Sequence, residues 1–120
     1  MPSNMRKRSS TSVVIKSCDR DSIERAVRSY VQDLRKAHPE IKRAIWFGSW
    51  VNGIPTPGSD LDLCLILSSS NKTMRDRVPD YLPVGFPVGI DLFPYTEEEF
   101  GRLKARSPSW LATILSGKEL

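Results

Sequence analysis

The segment Ile45-Trp46-Phe47-Gly48-Ser49, followed across a short gap by Ser59-Asp60-Leu61-Asp62-Leu63, constrains the fold more than any other feature of this chain. A buried-type apolar strand runs into a Gly-Ser turn, and a second strand then opens with two carboxylates one residue apart. Side chains alternate along a strand, so Asp60 and Asp62 share one face while Leu61, Leu63 and Leu65 share the other. Two like charges side by side on a sheet destabilise it unless something positive sits between them. A hard divalent cation, which takes carboxylate oxygens as ligands, is the simplest such partner. The Gly-Ser turn just before it offers backbone N–H groups to a phosphate. Metal and phosphate together point to nucleotide chemistry.

With 120 residues the chain is sized for one domain with one core. It carries no apolar run long enough to span a bilayer and does not open like a signal peptide, so a cytoplasmic protein is expected. Cys18 and Cys64 are too few and too far apart for a disulfide framework. Cys64, inside Leu63-Cys64-Leu65-Ile66-Leu67, reads as a small buried apolar residue. The formal net charge is +4, and much of the excess lies in Arg6, Lys7 and Arg8. These fall in a polar, Ser-rich stretch over residues 1–12 that reads as a flexible basic tail ahead of a single domain over 13–120. Elsewhere basic residues are interleaved with acids. No basic stripe with aromatics marks a nucleic-acid surface, so a DNA or RNA partner is not favoured.

Val13-Val14-Ile15 reads as an edge strand or a short packing segment. Asp21-Ser22-Ile23 starts a helix, with Asp21 or Ser22 as its cap, and Ile23, Val27, Tyr30, Val31 and Leu34 recur at helical spacing up to Pro39. Lys42 to Phe47 is the first strand. Gly48 to Gly53 is a tight turn with room for one helical turn, and Pro55, Pro57 and Gly58 stiffen the loop after it. Leu61 to Leu67 is a central strand. Asn71 to Tyr81 reads as a short helix interrupted at Pro79, and Val88 to Phe93 as a third core strand ending at Pro94. Thr96-Glu97-Glu98-Glu99 opens a helix that Pro108 ends or kinks, and Ser109 to Leu115 supplies the last helical segment. The expected class is α/β (α+β), a small mixed sheet with helices packed mainly on one side. Asp91 stands alone between Ile90 and Leu92, a costly place for an acid that is neither paired nor coordinated. Beside the Asp60 strand it would join the other two carboxylates.

Gly48-Ser49, then Asp60-x-Asp62, then Asp91 on a later strand resembles the signature of the DNA polymerase β-like nucleotidyltransferase superfamily. The small size resembles its minimal (MNT-type) branch. The resemblance covers roughly residues 23–115, nearly every predicted element. It implies a nucleotidyltransferase fold. It also implies that Asp60, Asp62 and Asp91 are catalytic and hold metal, two Mg2+ ions for which Mn2+ can substitute. Gly48, Ser49 and Ser59 would lie at the nucleotide. The implied reaction moves NMP from an NTP, ATP by preference, to an acceptor hydroxyl with release of pyrophosphate. Minimal members often act as antitoxins to a helical HEPN-type protein, which the resemblance offers as a partner; it leaves homo-oligomerisation open.

The chain also departs from the pattern. Many relatives place arginines after the Gly-Ser turn, where they bind triphosphate bidentately. Here Trp50 and Asn52 stand at those positions, and Gly53 is retained. Lys42, Arg43, Lys72 and Arg75 are candidates to compensate. Trp50 reads as packing rather than stacking on a base, and Trp46, Phe47, Phe93 and Trp110 as core. His38 and Glu97 to Glu99 read as solvated helix-end charges. The alternative function is a catalytically degenerate, transferase-like module that neutralises or scaffolds a protein partner.

Overall fold

The computed structural model describes residues 19–55 and 59–120. The predicted tail, the Val13–Ile15 segment, Cys18, Pro57 and Gly58 lie outside those residues. Helix α1 spans Arg20–Ala37. Its cap is Asp19, whose side chain accepts the Ser22 N–H, rather than Asp21 or Ser22. Strand β1 follows at Ile41–Phe47, then the single turn α2 at Ser49–Asn52 and strand β2 at Leu61–Leu67. Helix α3 covers Met74–Tyr81, capped by Thr73 and containing Pro79 near its end. Strand β3 is Ile90–Thr96, helix α4 Glu97–Arg106 and helix α5 Pro108–Leu115. A last two-residue strand, β4 at Lys118–Glu119, was not expected.

The sheet order is β3-β2-β1-β4. β1 pairs antiparallel with both β2 and β4, and β2 pairs parallel with β3. The parallel step follows from the crossover through α3, since parallel neighbours need a long connection. Alternation along the strands divides the core in two. Ala44, Trp46, Leu61, Leu63, Leu65 and Leu92 face α1, α2 and α3, where they meet Ile23, Val27, Val31, Trp50 and Tyr81. Ile45, Phe47, Cys64 and Ile66 face α4 and α5, where they meet Leu103, Ile114 and Trp110. The expected mixed sheet is therefore present, but its helices cover both faces instead of crowding one. The reason is in β2: from Leu63 to Leu67 every residue is buried, so neither face of that strand can be left to water.

β3 also runs on through Pro94 instead of stopping there. It is an edge strand, and the Pro94 carbonyl points outward to accept Arg77 Nη1 at 2.9 Å. The nitrogen of the same residue points the same way, so the N–H that proline lacks is not one β2 needs.

Candidate active site

β2 and β3 bring the sequence-predicted acids together at one end of the sheet. In the parallel register Asp62 stands beside Asp91, and in the antiparallel register it stands opposite Phe47, the residue before the Gly-Ser turn. Asp60 lies one residue ahead of β2, tied in place by the Leu61 N–H, which donates to the Gly89 carbonyl at 2.8 Å. Asp60 and Asp91 are exposed and Asp62 is half-buried.

The turn approaches the carboxylates closely. Gly48 has φ +90°, and a Cβ built on it would lie 2.1 Å from Asp62 Oδ2. Only glycine meets both demands, a left-handed backbone and carboxylate contact. The Gly48 carbonyl then accepts the Val51 and Asn52 N–H groups at 3.0 and 2.9 Å, which sets Ser49 at the start of α2. Ser59 closes the same neighbourhood from the other side, its carbonyl accepting the Trp50 indole N–H at 3.2 Å.

The electrostatics follow from this packing. Asp62 ends a stripe on the α4–α5 face, next to Phe47, whose ring lies 5.8 Å from Phe93 and 5.5 Å from Trp110. Burial on this apolar side, with the Asp91 and Asp60 charges adding to it, pushes the Asp62 carboxyl up from 3.8 to about 6. Among the described residues no group of three or more His, Cys, Asp or Glu side chains is already gathered as a metal centre. In its chemistry the donor set nonetheless suits a hard cation: three carboxylates at neighbouring backbone positions, one of them burdened by the others' charge.

The residues that replace the expected arginines have structural tasks. Trp50 is 2 % exposed and packs in the α1-side core, as read from the sequence. The Asn52 amide donates to the Ser116 carbonyl at 3.1 Å and to its hydroxyl at 2.9 Å, tying the turn to the end of α5. Two of the candidate compensating cations are engaged elsewhere, Arg43 with Glu119 at 2.7 Å and Lys72 with Asp80 at 2.6 Å. An apolar groove lies between α1 and residues 82–87, lined by Tyr30, Leu34 and Phe86 among others and by none of the three carboxylates.

Two features at this end of the sheet were not foreseen. Gly89 abuts Asp60, and the Ser116–Leu120 segment braces the turn and β1. Gly89 carried a signal, a glycine two residues before a lone strand acid; the bracing segment carried none.

A four-stranded mixed sheet with a Gly-Ser turn and three acids at adjoining strand ends defines a nucleotidyltransferase fold. In agreement, a crystal structure described as that of a presumed nucleotidyltransferase from Sulfolobus solfataricus superposes with a TM-score of 0.55 at 19% identity, over 78% of this chain and 83% of that one. No curated protein matches in sequence. Residues 9–98 match the family described as poly(A) RNA polymerase, mitochondrial-like, central palm domain, and the chain belongs to that family.

Proposed function

We propose that this chain is a metal-dependent nucleotidyltransferase that moves NMP from an NTP to an acceptor hydroxyl and releases pyrophosphate. The observation that carries the reading is the Asp62–Asp91 register pair with Asp60 beside it, next to a turn whose glycine lets the backbone come up against Asp62. Asp60, Asp62 and Asp91 would hold Mg2+, or Mn2+ in its place; when bound, two such ions activate the attacking oxygen and neutralise the leaving pyrophosphate. Gly48 lets the triphosphate approach the backbone, and Ser49 and Ser59 flank it with hydroxyls. Asp91, exposed near the start of β3, would accept the proton of the acceptor hydroxyl, a role that the resemblance supports. The family's description favours the terminal ribose hydroxyl of an RNA as acceptor. A hydroxyl on a helical HEPN-type protein, with this chain as its antitoxin, is the other assignment; the resemblance to minimal transferases supports it.

One observation favours a second reading, a binding module without turnover. The positions that would grip the triphosphate are committed to the core and to Ser116. Calorimetry of ATP, CTP, GTP and UTP with Mg2+, on the native chain and on Asp60→Ala/Asp62→Ala, separates the two. Binding that needs both the metal and the aspartates supports the transferase and names its donor; labelled donor with an RNA oligonucleotide then tests the acceptor. A folded native chain that binds none of the four supports the module.

A further inference from the structure

Gly89 precedes β3 and stands two residues before Asp91. Its carbonyl holds the Leu61 N–H at 2.8 Å, and that bond sets its Cα against the neighbouring Asp60 side chain. A Cβ built on Gly89 would lie 2.4 Å from Asp60 Oδ1 and 3.1 Å from its Cγ, and the third atom nearest to it is Asp60 Oδ2. The usual reasons for a glycine do not apply. Among the described residues only Gly48 and Gly85 are glycines with positive φ, so the backbone at 89 is open to any L-residue. Gly89 is exposed, so no core packing requires it to be small. What a side chain at this position would displace is one carboxylate.

We propose that Gly89 is a positioning residue for the carboxylate site, keeping clear the space in which Asp60 stands. This rests on the reading of Asp60 as a ligand for a divalent cation. The two glycines then serve the two acids of the Asp-x-Asp pair separately: Gly48 makes room for Asp62, and Gly89 makes room for Asp60. They differ in what substitution costs. At Gly48 a side chain also strains the backbone. At Gly89 it meets only the far end of an exposed, rotatable side chain, so the fold accommodates it while the carboxylate moves. Ligand geometry is less forgiving: loss of a positioning contact typically weakens metal affinity about 10–100-fold.

The test uses the full chain with Mn2+ as probe, bound ion being counted by electron paramagnetic resonance, with and without ATP. The variants are Gly89→Ala, Gly89→Ser, Asp60→Ala and the Gly89→Ala/Asp60→Ala double, each checked by thermal melting and, for Gly89→Ala, by a crystal structure of the metal-free protein. The expected result is a native melting temperature for Gly89→Ala, a displaced Asp60 carboxylate, and a Mn2+ affinity lower by about 10-fold or more. Gly89→Ala should have no further effect once Asp60 is gone, a non-additivity that a general structural role would not produce. If Asp60→Ala loses Mn2+ while Gly89→Ala and Gly89→Ser bind like the native chain, this inference is overturned and the transferase reading stands. A native chain that binds no Mn2+ under either condition overturns both.

Discussion

Asp62 shows how a single residue carries both the cost and the use of this site. Its folded pKa of about 6 lies above the ordinary 3.8, so between those values the folded chain holds more protons than the unfolded one. Its contribution to stability therefore falls as pH rises through that window and is flat above it. Asp62→Asn removes the charge with little change in shape. In the presence of a chelator, urea denaturation at pH 7 should find the variant as stable as the native chain or more so, with the advantage shrinking at pH 4. A large loss at pH 7 would show instead that Asp62 is a structural acceptor. That Asp60, Asp62 and Asp91 come together at one end of the sheet was legible in the sequence, because strand alternation is a local argument, but the burial that its apolar neighbours suggested for Asp91 is absent: it is exposed at the sheet edge. Gly89 was legible only as a glycine near a strand acid; what it constrains was not, because Asp60 is brought beside it by the pairing of β2 with β3.

At the scale of elements, the α3–β3–α4 corner hangs on one buried arginine. Arg77 is 4 % exposed. It donates to the Lys72 and Pro94 carbonyls, both at 2.9 Å, and grips both oxygens of Glu99 at 2.6 and 2.9 Å. Glu99 in turn completes the α4 capping box by accepting the Thr96 N–H. The Arg77 guanidinium holds the Glu99 carboxyl down at about 2, so the stability from this pair is complete above about pH 4.5 and is lost as pH falls toward 2. Arg77→Met strands two carbonyls and should cost roughly 2–4 kcal/mol at pH 7. Acid titration of the variant should also show a shallower decline below pH 4.5 than the native chain, since Glu99 then keeps only its bonds to Thr96. The helix start at Thr96 was readable from its hydroxyl and acids. The arginine beneath it was not, since a charge in the run Met74–Tyr81 looks solvated until α4 packs against it. The same limit explains β3. Pro94 reads as a strand end in isolation, and only its place at the sheet edge makes it a strand interior.

For the whole molecule, the sheet is closed on the β1 side by residues far along the chain. β4 pairs with Ile45 and Trp46, the Leu120 N–H donates to the Ala44 carbonyl at 2.8 Å, and Arg43 meets Glu119 across 76 residues of sequence. Arg35 adds a hydrogen bond to the Leu120 carbonyl at 2.8 Å. Deleting residues 117–120 should lower the melting temperature and open an unpaired strand edge, so sedimentation should detect more concentration-dependent association than the native chain shows. Native stability and native association behaviour in the deletion would show that the strap is dispensable. No hydrophobic pattern in two residues could have announced this strand; its partners are what make it one. The separation also has a consequence during biosynthesis. A ribosome adding about 5–20 residues per second needs roughly 4–15 s to travel from β1 to β4. For that interval β1 has its hairpin partner or none, and the nascent chain carries a bare hydrogen-bonding edge next to those of its neighbours on the same message.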